Sequence, residues 1–177
     1  MIYRGKTIIM IMNMVVGMRL EKLASFIKTL EDLGIYKFNI DEFDNRLMLQ
    51  KLVYISKFFG IDLGYSFNYY LRGPYSPELA DDYFRLAELD WNALREKIPK
   101  ITTPEFEKFV NFVRGKDIEL LEGIATGLVF CKKLKIMNYP YSKIRKLLPK
   151  LIASRKPFLE DRSEEITEII LSEPNFA

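Results

Sequence analysis

A chain of 177 residues with 49% hydrophobic and 29% charged side chains is long enough for one domain with a real core, and this balance excludes both a disordered chain and a multi-span membrane protein. The formal net charge of +3 is too small to argue for nucleic acid by itself, because electrostatic binding depends on how Lys and Arg cluster. Cys131 is the only cysteine and there is no histidine, which leaves no intrachain disulfide and removes the commonest general base and metal ligand. A reducing, cytoplasmic setting and a chain without metal or cofactor are expected.

Arg4 and Lys6 ahead of the apolar run Ile8 to Met18 imitate the start of a signal peptide, but no A-x-A-like cleavage site follows. The run is also shorter than the about 20 apolar residues needed to cross a bilayer. Residues 1–17 are read as an extended segment or an extra helical turn on the body, with a start at Met18 as the alternative. From Arg19 to Leu33, Leu20, Leu23, Phe26, Ile27, Leu30 and Leu33 recur at the spacing that makes one helix face apolar, and Gly34 ends the helix. Asp41, with Asp44 three residues on, is placed to cap the next helix. The surrounding segment lacks the alternating oxygen ligands and central glycine of a calcium loop.

A helix over Asn45–Phe59 carries Leu47, Leu49, Leu52, Val53, Ile55, Phe58 and Phe59 on nearly every side, so it is central, and Gly60 closes it. Tyr65 to Leu71 is aromatic-rich with partial alternation, which predicts a strand whose partner could come from the N-terminal apolar run. Pro74 keeps Gly73 out of the helical region, and Ser76 caps a helix starting at Pro77 and ending near Leu89 or Trp91. Thr103-Pro104-Glu105 repeats that device, with Phe106, Phe109, Val110 and Val113 on one face and Gly115 beyond. Asp117 caps a long apolar helix to about Lys135, where Gly123 and Gly127, four apart, predict a closely packed neighbour. Ser142 opens a helix that Pro149 should kink or divide, and Ser163 caps a last short one. The sum is a mainly α single domain over 1–177, of about seven helices with a small β-hairpin or two-stranded element.

Few residues offer chemistry. Cys131 lies on an apolar helix and reads as a buried thiol. Asp81 and Asp82 point about 100° apart on a helix and read as acids favoured by the helix dipole rather than as metal ligands. Ile118 to Ala125 resembles the Leu-Glu-Phe-Leu-Gly-Asp-Ala signature of ribonuclease III, but Ile124 stands where the metal-binding aspartate would follow the glycine. A metal-dependent nuclease is therefore only a third reading, and no catalytic residue is named. Between Glu122 and Glu160 there is no acid, while Lys132, Lys133, Lys135, Lys143, Arg145, Lys146, Lys150, Arg155 and Lys156 fall in that interval. This basic block is either a phosphate or nucleic-acid surface or a solvated face balanced by the acidic stretch Glu160 to Glu168, and the adjacency of opposite signs favours the second.

Leu49-Gln50-Lys51-Leu52-Val53-Tyr54, followed by Phe67 to Leu71 and Arg72-Gly73-Pro74-Tyr75-Ser76-Pro77-Glu78-Leu79, resembles the YwgA-like group of prokaryotic proteins. More distantly it resembles the Panacea domain, the SocA-type antitoxin module, with its Lys-Leu-Leu-Tyr helix and Tyr-Gly-Pro-Val-x-Pro-Glu-Leu turn. The pattern covers about forty residues and departs from Panacea at Leu71-Arg72, which replace the usual Tyr before Gly-Pro. The resemblance implies a helical domain that acts by binding a protein partner, toxin-like or regulatory, and implies no enzyme. Tyr69, Tyr70, Arg72, Gly73, Pro74 and Tyr75 are the candidate partner-binding residues, since Tyr and Arg are the types enriched at interface hot spots. Packing of the tyrosines against the body is the competing fate. Oligomeric state stays open, with a homodimer among the options.

Overall fold

A computed structural model describes the backbone of residues 3–176 and the side chains of residues 17–176. In chain order it contains α1 (Tyr3–Asp32), α2 (Phe43–Ser56), β1 (Asn68–Tyr70), β2 (Gly73–Tyr75), α3 (Pro77–Glu88), α4 (Trp91–Arg95), α5 (Pro104–Val113), α6 (Ile118–Ile136), α7 (Tyr141–Arg155) and α8 (Ser163–Ser172), with 3-10 turns at Lys57–Phe59, Pro157–Arg162 and Pro174–Phe176. The fold is mainly α with one small hairpin, as the periodicities predict. Among the described residues, no helix is long and apolar enough to cross a membrane.

Three of the expected helix caps form, Ser76 and Thr103 ahead of a proline and Asp117 on its side chain alone. Ser76 Oγ accepts from the Leu79 N–H, Thr103 Oγ1 from Phe106, and Asp117 Oδ1 from Leu120 at 2.7 Å, each satisfying an amide that the first helical turn leaves without a partner. Other expected caps do not form. α2 starts at Phe43, so Asp41 is not its cap; Glu42 stands there, and its carboxylate accepts from the side-chain amides of Asn39 and Asn45 instead of from a backbone amide of the first turn. Ser142 and Ser163 lie within α7 and α8 and cap neither, and the Ser163 hydroxyl donates back to the Glu160 carbonyl. Pro149 sits inside α7 without dividing it. The segment before Arg19 is helical from Tyr3, continuous with α1, and gives β1 no partner; β1 pairs with β2. Helix α4, absent from the periodic pattern, forms because Asp90 accepts from the Ala93 N–H.

The hub is α6, which packs against α2, α7, α8 and β2. The two glycines explain how so many elements reach it. A Cβ at Gly123 would overlap Ile166 Cδ1 and stand 3.0 Å from Leu159, and one at Gly127 would overlap Ile170 Cδ1 and stand 3.0 Å from Ile152. The missing side chains thus let α8 and α7 close onto the helix backbone. A second layer of rings joins α1, α5 and the chain end: Phe26 meets Phe106 edge-on at 5.7 Å, and Phe176 meets Phe112 at 5.2 Å. Helices α1 and α3 are tied by Asp82, which is fully buried and accepts from Arg19 Nε at 2.7 Å and Tyr65 Oη at 2.9 Å. Asp82 is therefore an interhelical anchor rather than a dipole-favoured surface acid. The expected burial of Cys131 is observed, and burial pushes its thiol pKa up.

Candidate interaction site at the hairpin

The hairpin is short: Asn68 pairs with Tyr75, Tyr69 with Pro74 and Tyr70 with Gly73, leaving Leu71 and Arg72 as the tip. Three pairs alone do not hold a hairpin in water. What holds this one is α2 beneath it. Gln50 presents its amide like the edge of a strand, donating to the Ser76 carbonyl and accepting from the Ser76 N–H, both at 2.9 Å. Lys51 Nζ donates to the Pro74 carbonyl at 2.8 Å. Both side chains are buried, on a helix whose other buried positions are mostly apolar. In the same buried layer Lys156, at the end of α7, donates to the Leu71 carbonyl at 2.9 Å and to the carboxylate of Glu122 on α6.

Gly73 makes the close approach possible. Its φ of 86° belongs to the left-handed region, and a Cβ there would stand 2.8 Å from Thr126 Oγ1 on α6. Gly73→Ala is expected to destabilise the chain by about 2–5 kcal/mol, combining left-handed strain with overpacking. Chemical denaturation checks this, and adding Thr126→Ala should recover only the steric part.

The charges behind the hairpin do not balance. Lys51, Lys156 and Glu122 are 0%, 2% and 3% exposed, so two ammonium groups share one carboxylate out of water. Arg72 adds a third cation at the rim, its Nη1 3.9 Å from Glu122 Oε2. Burial pulls the Lys51 ammonium down to about 7, Glu122 opposes the shift, and Lys156 and Arg72 reinforce it. The Thr126 hydroxyl in the same layer has no hydrogen-bond partner among the described residues.

Strand alternation then divides the predicted site. Side chains of successive strand residues point to opposite faces, so Tyr69 goes one way while Tyr70 and Tyr75 go the other and meet edge-on at 5.6 Å. Gly73 and Pro74 are buried and act as frame. Tyr70, Arg72 and Tyr75 therefore share a surface, and Tyr69 does not. Their face lines a groove of about 320 Å³ together with Phe43, Arg46, Leu47, Gln50, Leu71 and Tyr83. At its mouth the half-exposed ring of Phe43 has the Arg46 guanidinium at 5.7 Å and that of Arg72 at 5.8 Å. Leu71 is 89% exposed, the most solvent-facing large apolar side chain described.

Tyr69 packs instead on Phe130, 5.6 Å away, and lines a groove of about 630 Å³ on the other face, with Tyr54, Lys57, Phe58, Phe67, Lys132 and Lys133. The rest of the basic block is scattered. Lys135 donates to the Phe176 carbonyl, Arg145 pairs with Glu168, Lys143 lies 4.1 Å over the Tyr139 ring, and Lys156 is buried. Lys146 and Lys150 are exposed on α7. Among the described residues, Arg145 is the member of the block that pairs with the acidic C-terminal stretch. Among the described residues, no group of three or more His, Cys, Asp or Glu side chains is placed to hold a metal ion.

No protein-family model, curated protein or solved structure matches the chain. Phe43, Arg46, Glu122 and Lys156 belong to the site but carry no local signal for it. Gln50 and Lys51 do lie in the Leu49 to Tyr54 stretch, where they are polar residues inside an apolar helix.

Proposed function

We propose that the chain is a regulatory interaction domain of the antitoxin-like kind its motifs resemble, acting in the cytoplasm and binding a protein partner with the hairpin tip. The observation that carries this reading is the pairing of an almost fully exposed Leu71 with Phe43, Tyr70 and two guanidiniums, on a hairpin pinned from below by Gln50, Lys51 and Lys156. A pre-organised mount lowers the ordering entropy that binding must overcome. The chemistry suits a partner segment with an apolar anchor for the groove beside an acidic residue for Arg46 and Arg72.

The test is affinity capture with the tagged chain, followed by titration calorimetry against whatever partner is recovered. Leu71→Asp and Arg72→Ala change only exposed side chains and are each expected to weaken that partner by about ten-fold or more. A partner that binds both variants as well as the parent overturns the proposal. A toxin as partner would make the chain an antitoxin in the strict sense, whereas tip-dependent self-association in sedimentation would make the partner a second copy.

A further inference from the structure

The groove on the Tyr69 face has a different chemistry from the tip. Tyr54, Phe58, Phe67 and Tyr69 are all partly exposed there, and Phe67 and Tyr69 each pack on a neighbouring ring, Tyr54 and Phe130. Lys133 Nζ lies 5.8 Å from the centre of the Tyr69 ring and Lys57 Nζ lies 5.9 Å from that of Phe67. Lys57 is held in position by the Tyr65 carbonyl at 2.8 Å and by Asp62 at 3.6 Å, and among the described residues no acidic side chain lines the groove itself. Lys132 is exposed on the rim.

We propose that this groove binds single-stranded nucleic acid, with bases against the Tyr69 and Phe67 rings and the backbone phosphates along Lys57, Lys132 and Lys133. Aromatic platforms combined with a positive groove are what sequence-tolerant single-strand binding requires, because every base has a stackable face. A duplex hides those faces and would meet only the lysines. A lone phosphate is a poorer fit, since its cradles are built from converging backbone N–H groups at a helix N-terminus. Here the wall is the C-terminal end of α6, and the ammonium groups stand beside two different rings instead of converging. Cations spread along a groove match a chain of phosphates. An acidic peptide would use the lysines but leave the rings without planar partners.

Fluorescence anisotropy with labelled oligothymidylate and oligouridylate across a salt series tests this. Binding is expected at low salt, with a duplex of matched length weaker. Lys132→Gln combined with Lys133→Gln removes two exposed ammonium groups, and should reduce the slope of log K against log salt by about 1.4, at about 0.7 per phosphate on a single strand. Tyr69→Ala should lower affinity by about five-fold or more with the slope unchanged. The exposed double-lysine variant keeps the test valid if loss of the Tyr69 ring disturbs folding. Leu71→Asp at the hairpin tip should leave oligonucleotide binding intact, which separates failure here from failure of the tip proposal. Absence of binding at low salt overturns the assignment. So does binding indifferent to the lysine pair, a mononucleotide that binds as tightly as the strand, or polyglutamate that displaces it with the same Tyr69 dependence.

Discussion

Glu122→Ala is expected to lower the unfolding free energy by about 3–5 kcal/mol, a large share of what holds a domain of this size together. The reason is the two-to-one charge ratio behind the hairpin. Glu122 is the carboxylate that receives Lys156 and also stands 3.9 Å from Arg72, and it offsets part of the desolvation of Lys51. Its removal leaves two buried ammonium groups with carbonyl partners but no counter-charge. Urea titration followed by circular dichroism measures the loss. Lys156→Met on the Glu122→Ala background should recover part of it, because the buried charge left alone is then gone, and the double-mutant cycle gives the coupling. Hydrogen exchange should show the functional side of the same change. Lys156 also holds the Leu71 carbonyl, so amides from Leu71 to Tyr75 should lose protection beyond the global loss. If Glu122→Ala is as stable as the parent, the buried pair is not what anchors the hairpin.

Lys51 predicts a pH dependence with a definite sign. Its ammonium has a pKa of about 7 in the fold and the ordinary value of 10.5 when unfolded. Between those values the unfolded chain binds the extra proton, so this residue makes stability rise with pH, by about 2 kcal/mol from pH 7 to pH 9. As pH falls through 7 the folded form takes up the proton too, and the trend levels off. Cys131 works in the opposite sense at the alkaline end, since burial raises its thiol pKa and the unfolded thiol ionises first. The clean observable is therefore a difference. Stability of the parent minus that of Lys51→Met should climb between pH 7 and pH 9 and be nearly flat between pH 5 and pH 6. A difference without slope would mean that Lys51 is charged in the folded state throughout. The absolute effect of Lys51→Met is the balance of two opposed changes, one buried cation removed and the Pro74 carbonyl left without its donor.

Two of the helix starts legible in the sequence have a stereochemical cause, and the third, at Asp117, rests on its carboxylate. Pro77 and Pro104 can occupy only a first helical turn without losing a hydrogen bond, and Ser76 and Thr103 before them supply the capping oxygen. Ser142 and Ser163 carry the same side chain but no such constraint, and the residues at the two N-caps are Pro140 and Arg162. The hairpin partner was misplaced for a similar reason. A strand with Gly and Pro has few of the residues that mark strands, so the sequence shows an extended segment there but does not mark it as the partner of β1. The faces of the hairpin were legible in principle, because period-two alternation separates Tyr69 from Tyr70 and Tyr75 once the pairing is known.

By itself, then, the sequence determined a mainly helical chain, a stiff Gly-Pro-Tyr-Ser-Pro exit from an aromatic segment, and a close-packed surface at Gly123 and Gly127. Each follows from backbone restrictions or periodicity acting over a few residues. Only the tertiary structure decided that Lys51, Glu122 and Lys156, spread over more than half of the chain, would be buried together under the hairpin, and that Phe43 would join Leu71 at its tip. A charged side chain defaults to water unless a partner compensates its desolvation. That partner comes from another element, so its presence is a property of the fold and is written in no local stretch.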